Sequence, residues 1–369
     1  MDVPTVGVEE EYLLVDRGSR SPVNRAPRVI AAAARELGEL VQSEFYQAQV
    51  EVCTRPATET ADLRGQLSLL RETAARAARA EDCLLVASGV PVIAPREALR
   101  VTDDERYRRM ARRSEHLLDG FTAVCGCHIH VGTLDRARAL ALAAHMRPWL
   151  PVLQCLTGNS PFMAGRDTGH DSWRSVAFAC WPTVGPPPVV DERHYLAHVD
   201  GLIAAGVLLD RRMLYWYARP SEHVPTLEIR VSDVNADLDT VILTAALVRG
   251  LAAVLLQDVD AGAPPPSAPP HRLWAAHALA ARYGIDGPGA DACSGRELPA
   301  QLLVERLLDR AAPGLAAAGD LGTARTLWER LRRRGTGASR QRAVLARTGS
   351  LAAVVDGLAV SPADVPLPC

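Results

Sequence analysis

A chain of 369 residues with 48% hydrophobic content is long enough for one large or two ordinary globular cores. Its 41 basic residues against 43 acidic ones leave a formal charge of −2, which shows no bias towards nucleic acid or membrane surfaces. All the basic residues are arginine, which excludes P-loops and lysine nucleophiles and leaves arginine, backbone amides and metal ions to bind any phosphate.

The N-terminus carries no basic region followed by an apolar one, and the longest apolar runs have helical rather than membrane-spanning length. Eight cysteines are spread along the chain, without the dense framework of a secreted disulfide scaffold. We therefore expect a cytoplasmic protein with free thiols and no nucleic-acid or membrane partner.

Strand-like and helical segments alternate along the first two thirds of the chain, without an internal repeat. The residue patterns predict strands over residues 6–15, 44–53, 83–90, 124–132, 213–219 and 226–231. Apolar residues at helical spacing predict helices over residues 28–40, 61–80, 136–156 and 238–256.

A segment rich in proline and glycine separates this part from a C-terminal region of helical pattern. Further helices are predicted over residues 271–283, 300–312, 324–334 and 339–355, and no further strand is predicted. Strands first and helices last indicate an α+β fold. We predict a core at residues 1–258, a linker at 259–271 and a helical portion at 272–369 packed on the same domain.

The first strand carries the most informative cluster, the sequence Gly-Val-Glu-Glu-Glu at residues 7–11. Side chains alternate along a strand, so Glu9 and Glu11 share one face, while Glu10 points the other way. Two anions on one face repel each other. Their charge leaves three alternatives: a solvated face, a distant arginine, or a divalent cation held by oxygen ligands.

The strand at 124–132 places His128 and His130 on one face and Cys125 and Cys127 on the other. A regular strand cannot turn both sets towards one ion, which argues against a zinc site of the Cys-x-Cys-His kind. A pair of buried, hydrogen-bonded histidines is one alternative. The other is that His128 is a metal ligand or substrate contact.

Two further strands add polar side chains. The segment 226–232 alternates so that Glu228, Arg230 and Ser232 share one face, although an antiparallel strand with one wet face would look the same. In the strand at 44–53, Glu51 is the better candidate, because Glu44 is out of phase with it and needs a bulge or bend to join it.

Several carboxylates, a histidine and an arginine on one sheet face suit nucleotide chemistry. Magnesium or manganese prefers oxygen ligands and bridges nucleotide phosphates, and arginine stabilises a phosphoryl group in transfer. The sheet face is therefore a plausible nucleotide–metal site.

Several short motifs, specific through their order and spacing, follow one another along the chain: Gly-Val-Glu-Glu-Glu-Tyr at 7–12, Cys-His-Ile-His-Val-Gly at 127–132, Asn-Ser-Pro-Phe at 159–162, Asp-Thr-Gly at 167–169, Arg-Pro-Ser at 219–221, Pro-Thr-Leu-Glu-Ile-Arg-Val-Ser-Asp-Val at 225–234 and Gly-Ala-Ser-Arg-Gln-Arg at 337–342. Through these motifs the chain resembles a known family, the carboxylate–amine ligases of the glutamate–cysteine ligase type 2 group, from about residue 5 to about residue 356.

The resemblance implies a glutamine-synthetase-like catalytic fold, a curved and mainly antiparallel sheet flanked by helices, with ATP and Mg²⁺ or Mn²⁺ on its concave face. It implies an amide bond formed through an acyl phosphate, from a carboxylate such as the γ-carboxylate of glutamate and an amine such as that of cysteine. A homodimer is the family expectation.

Residue roles also follow from the resemblance. It implies that Arg230 binds the transferred phosphate and that Arg230, Arg174 and Glu228 are catalytic. It also implies that Arg219 and Ser232 contact the nucleotide. The implied metal ligands are Glu9, Glu11, Glu51, His128 and Glu228, with Glu44 as a weaker sixth.

The amine substrate and the class of protein both have alternatives. His170 and Asp171 depart from the family pattern around 167–174, so the amine partner is not determined. A metal-dependent amide or phosphoester hydrolase would use the same carboxylates and His128 to activate water without a nucleotide. A scaffold protein without activity would have no need of both the Glu9/Glu11 pair and the Glu228/Arg230 pair.

Overall fold

The computed structural model describes residues 2–113, 115, 123–132 and 134–360. The strands within them are β1 (Val6–Asp16), β2 (Val41–Ser43), β3 (Gln49–Cys53), β4 (Cys83–Val86), β5 (Gly126–Val131), β6 (Phe162–Met163), β7 (Arg166–Asp167), β8 (Ala218–Pro220), β9 (Leu227–Asp233), β10 (Pro288–Ala290) and β11 (Glu297–Pro299).

One antiparallel sheet forms the centre of the fold. Its strand order is β2-β3-β1-β5-β9-β8, and β4 pairs with the C-terminal end of β1. The long strand β1 lies between β3 and β5, so residues from three different parts of the chain meet across it. Among the described strands, the pairs β6–β7 and β10–β11 form separate small hairpins.

Helices surround the sheet. Within the described residues they are α1 (Ala26–Leu37), α2 (Thr60–Ala80), α3 (Glu105–Arg113), α4 (Arg136–Met146), α5 (Leu150–Thr157), α6 (Trp173–Phe178), α7 (Glu192–Ala204), α8 (Leu238–Asp260), α9 (Pro270–Tyr283), α10 (Ala300–Ala317), α11 (Leu321–Arg334), α12 (Gly337–Thr348) and α13 (Leu351–Leu358). The predicted α+β class, an antiparallel sheet flanked by helices, is confirmed.

Helices α2, α5 and α8 pack against the sheet and cover one of its faces, here called the back. Val8, Tyr12 and Leu14 of β1 point to the back and are almost completely buried, as apolar residues at alternate strand positions should be. The opposite face, here called the front, carries the polar residues of β1, β3, β5 and β9.

Helix α8 is long and apolar enough to cross a membrane, but 94% of its most apolar window is buried inside the protein, as in the core helix of a soluble protein. Helix α10 crosses it at close range. A Cβ atom on Gly314 would lie 2.0 Å from the carbonyl oxygen of Gly250, so only glycine allows this approach. The C-terminal helical portion thus packs directly on the core.

Several predicted elements differ from the observed ones. The predicted strand at 44–53 is wrong in its first half, because β2 ends at Ser43 and residues 44–48 turn into β3. The predicted strand at 213–219 is reduced to β8, and the hairpin β10–β11 was not predicted. The predicted helix at 339–355 is interrupted at Gly349, whose φ of +63° lies in the left-handed region.

The Pro- and Gly-rich segment joins α8 to α9 over residues 261–269, because α8 continues two residues beyond the predicted boundary at 258. Residues 361–369 of the predicted C-terminal portion lie outside the described residues.

Candidate functional site

A cavity of about 600 Å³ opens on the front of the sheet. Its floor is unusually rich in charge for a half-enclosed space. The charged and histidine side chains that line its floor are Glu9, Glu11, Glu44, Glu51, His128, His130, Arg219, Glu228 and Arg230.

The strand register brings these side chains together. Glu11 of β1 lies opposite Glu51 of β3, and Glu9 lies opposite His128 of β5. Residues paired directly across antiparallel strands share a face and lie close together. The prediction that Glu9 and Glu11 share a face is therefore confirmed, and Glu10 points to the back, as predicted.

The first ligand cluster, here called the histidine triad, consists of Glu9, His128 and Glu228, whose ligand atoms lie within 4.8 Å of one another. Nδ1 of His128 is 3.3 Å from Glu9 Oε2 and 3.6 Å from Glu228 Oε1. Burial and then the positive charge of Arg230 lower the pKa of His128 to about 4. The imidazole is thus neutral at physiological pH, the form that binds metals.

The two carboxylates of the histidine triad are ionised. Burial opposes the charge of Glu9, but hydrogen bonds with His128 and His130 outweigh burial and lower its pKa. Burial likewise opposes the charge of Glu228, and the guanidinium groups of Arg219 and Arg230 lower its pKa well below the ordinary value.

The second cluster, here called the glutamate triad, consists of Glu11, Glu44 and Glu51, again with ligand atoms within 4.8 Å. Burial and then the charge of Glu11 raise the pKa of Glu44 to about 7. Burial and then the charge of Glu9 raise the pKa of Glu51 well above its ordinary value. Three carboxylates held this close repel one another, and a cation between them would remove that repulsion.

Glu44 reaches the glutamate triad through the turn at residues 44–48. The turn replaces the first half of the predicted strand, so the side chain of Glu44 no longer follows the alternation of β3. This is the bend that Glu44 was predicted to need. Tyr107 of α3 donates a hydrogen bond of 2.9 Å to Glu44 Oε2, a contact that no strand pattern in the sequence indicates.

A bulge in β9 reverses the predicted orientation of one site residue, Ser232. Arg230 and Val231 together lie opposite the single residue His128, and beyond them Ser232 pairs with Cys127. Cys127 also pairs with Glu10, whose side chain points to the back. Ser232 therefore faces away from the cavity, and the prediction that it shares a face with Glu228 and Arg230 is wrong.

Two arginines bind Glu228 in the cavity. Arg219 of β8 donates from Nε to Glu228 Oε2 at 2.7 Å, and Arg230 contacts Glu228 Oε1. Nε of Arg230 is buried and has no hydrogen-bond partner among the described residues. A buried guanidinium group with an unused N–H donor can bind a phosphate oxygen.

Arg174 is not among the residues that line the cavity. Its guanidinium packs against Gly126, where a Cβ atom would come within 2.3 Å of Nη2, and it lies 3.4 Å from the carbonyl oxygen of Arg230. Nε of Arg174 is also buried without a partner among the described residues. The absence of a side chain at Gly126 thus makes room for the guanidinium of Arg174.

His130 lies next to the histidine triad. Its position on the strand did not decide whether it belongs to the site. Nε2 of His130 is 3.1 Å from Glu9 Oε1, and Nδ1 is 2.8 Å from the hydroxyl of Thr226. His130 therefore orients the carboxylate of Glu9 relative to the other two members of the histidine triad.

The sequence model of glutamate–cysteine ligase family 2 matches residues 5–357 of this chain. The chain belongs to this family. A relative from Saccharopolyspora erythraea, named "Putative glutamate–cysteine ligase 2-1", is 44% identical over 359 residues, which cover 96% of this chain and 94% of the relative. A relative from Salinispora tropica with a similar name is 43% identical over 369 residues, 99% of this chain and 97% of the relative.

Solved structures with low sequence identity to this chain share its fold. A bifunctional glutathione synthetase from Pasteurella multocida superposes with a TM-score of 0.72 at 15% identity, over 96% of this chain and 52% of that one. A glutamate–cysteine ligase from Francisella tularensis, in complex with AMP, superposes with a TM-score of 0.70 at 14% identity, over 100% of this chain and 91% of that one. The glutamine-synthetase-like fold is thereby confirmed.

Membership of glutamate–cysteine ligase family 2 makes this chain an ATP-dependent ligase that joins a carboxylate to an amine. The donor set fits a hard divalent cation, since five carboxylates and one neutral imidazole converge and no cysteine belongs to either triad of the described residues. Oxygen-rich ligand sets of this kind suit Mg²⁺ or Mn²⁺ rather than a structural zinc ion.

Proposed function

We propose that the chain forms an amide bond through an acyl phosphate, with the γ-carboxylate of glutamate as the acid and an amine such as that of cysteine as the acceptor. The observation that carries the proposal is the pair of acidic triads on one sheet face, flanked by Arg219 and Arg230. Neither a binding protein nor a simple hydrolase needs both features.

In the first step, a carboxylate oxygen of the acid attacks the γ-phosphorus of ATP, and ADP leaves. In the second step, the amine nitrogen attacks the acyl carbon, and inorganic phosphate leaves as the amide forms and the amine loses a proton. Both steps bring anions together, so positive charge must be in place before they begin.

The residues divide this work. The histidine triad of Glu9, His128 and Glu228 and the glutamate triad of Glu11, Glu44 and Glu51 would hold Mg²⁺ or Mn²⁺, which neutralises phosphate oxygens when bound. Arg219 and Arg230 would bind the phosphates, and Arg230 with Arg174 would stabilise the transferred group. Glu228 is the shared element, because it orients Arg219 and Arg230 as well as belonging to the histidine triad.

Trapping with hydroxylamine tests this proposal without knowledge of the natural amine, because hydroxylamine converts an acyl phosphate to a stable hydroxamate. We expect hydroxamate from glutamate, ATP and Mg²⁺, and none when ATP is omitted. Glu9→Gln and Glu228→Gln should lower the rate at least about 100-fold. Glu36→Gln, on the exposed face of α1, is the matched control and should keep full activity.

Two results would contradict the proposal. Hydroxamate from other acids but not from glutamate would replace the acid substrate. Hydrolysis of an amide or phosphoester without ATP would favour the hydrolase instead.

A further inference from the structure

Three of the motifs shared with the family have no part in the cavity: residues 159–162, 167–169 and 337–342. The first two are neighbours in the sequence, the third lies far from them in the C-terminal part, and all three meet in one place. That place is the N-terminus of helix α6, whose first turn contains Arg174.

The first turn of α6 is bound to the end of strand β9. Asp233 accepts hydrogen bonds from the hydroxyl of Ser172 at 2.7 Å and from that of Ser160 at 2.6 Å. Ser160 in turn accepts a hydrogen bond of 3.0 Å from the backbone N–H of Arg174. Asp233 is buried and lies three residues after Arg230, so it links the strand that carries Arg230 to the helix turn that carries Arg174.

The segment that leads into α6 is held from the other side by helix α12. Arg342 donates to Asp171 Oδ1 at 2.5 Å, to Asp167 Oδ2 at 3.0 Å and to the carbonyl oxygen of His170 at 2.8 Å. The neighbouring Gln341 donates to both oxygens of Asn159, at 2.9 Å and 2.8 Å. Helix α12 thus binds both segments that fix the N-terminus of α6.

We propose that Arg342 is a positioning residue for Arg174, so that the C-terminal helix α12 sets the geometry of the phosphoryl-transfer site. The inference rests on the role of Arg174 in the proposed function. Asp171 is buried, and Arg342 is the cation that contacts its carboxylate among the described residues. Without Arg342, the segment 167–171 must move to bring that carboxylate to water, and Ser172 and Arg174 move with it.

A double-mutant cycle tests the coupling, with hydroxamate formation from glutamate as the assay. Arg342→Gln should lower kcat about 10- to 100-fold, because small displacements of a charge-stabilising group are costly. In an Arg174→Gln background the same substitution should change kcat less than about twofold, since the group it positions is already absent. Arg342→Lys keeps the charge but loses the fork, and should recover part of the loss.

Arg310→Gln is the matched control. Arg310 pairs with Asp258 at a similar exposure, far from α6, and its loss should leave kcat unchanged in both backgrounds. Equal fold losses for Arg342→Gln in the two backgrounds would overturn the inference, because they would indicate a general structural effect.

A crystal structure of the Arg342→Gln variant decides the inference independently of activity. We expect the guanidinium of Arg174 to be displaced from Gly126 by about 1 Å or more, the scale at which catalytic geometry is lost. An unmoved Arg174 would overturn the positioning role even if the variant had lost activity. Absence of any hydroxamate with the native chain would instead count against the proposed function, and the crystal structure would still decide the role of Arg342.

Discussion

Glu10 accepts two hydrogen bonds from Arg71 of α2 on the back of the sheet, at 2.6 and 2.9 Å, and both side chains are buried. Arg71 also donates to the carbonyl oxygens of Asn235 and Ala236. The middle glutamate of the acidic run is thus a structural anchor, although its two neighbours line the cavity.

Glu10→Gln should destabilise the protein by about 3 to 5 kcal/mol, because it leaves the buried guanidinium of Arg71 without a counter-charge. Urea unfolding measures this free energy. Glu36→Gln breaks an exposed pair with Arg76 and should leave the unfolding midpoint nearly unchanged. Equal midpoints for the two variants would show that the buried pair is not a stability determinant.

The two triads predict two separate cation sites. Calorimetric titration with Mn²⁺ should give two ions per chain, and Glu9→Gln and Glu51→Gln should each remove one of them. Glu222→Gln alters a carboxylate at the rim of the cavity, bound by Tyr195, and should leave both sites intact. Loss of all Mn²⁺ binding in either single variant would indicate one shared site instead.

The raised pKa of Glu44 predicts a pH-dependent difference between the native chain and Glu44→Gln in a chelating buffer. Between its ordinary pKa of 4.5 and its folded value of about 7, the folded chain keeps a proton that the unfolded chain has lost. The stability of the native chain therefore falls relative to the variant as the pH rises through this window, and the difference is complete above pH 7.

The size of this difference should be roughly 2 to 3 kcal/mol, after allowance for solvent screening of a half-buried group. Thermal or urea unfolding at pH 5 and pH 8 measures it. Saturating Mg²⁺ should reduce the difference, because the cation favours the ionised carboxylate. A difference that is independent of pH would show that Glu44 titrates normally.

Arg230→Lys should lower kcat about 100-fold, because an ammonium group cannot bind Glu228 and a phosphate in the same planar arrangement. The hydroxamate assay measures this rate. Arg212→Gln, at the exposed rim of the cavity, is the control and should have a much smaller effect. Comparable losses of kcat in the two variants would show that the positive charge at the rim contributes as much to catalysis as Arg230 on β9.

Ser232→Ala should leave the KM for ATP within about twofold of the native value, since the bulge in β9 turns Ser232 to the back of the sheet. Thr226→Ala, which removes the hydrogen-bond partner of His130 one residue before β9, should have the larger effect. An increase of tenfold or more in KM for Ser232→Ala would show that the register of β9 changes when nucleotide binds.

Strand alternation was a reliable guide only where the strands are regular. It predicted the common face of Glu9 and Glu11 and the orientation of Glu51 and His128, because β1, β3 and β5 pair without interruption there. It failed for Ser232 because one additional residue in a bulge reverses every later side chain. The turn that brings Glu44 to the glutamate triad replaced half of a predicted strand for the same reason: local pattern does not reveal where a strand bends.

The sequence by itself determined the α+β class, the family and the residue types of the site, because periodicity and ordered motifs are properties of the chain alone. The division of the six ligands into two triads depended on strand register, which is set by pairing between distant segments. The burial that makes His128 neutral and Glu44 a weak acid, and the contact of Arg342 with the segment before Arg174, exist only after those segments pack together. Desolvation and long-range hydrogen bonds have no local signature, and tertiary structure alone decided them.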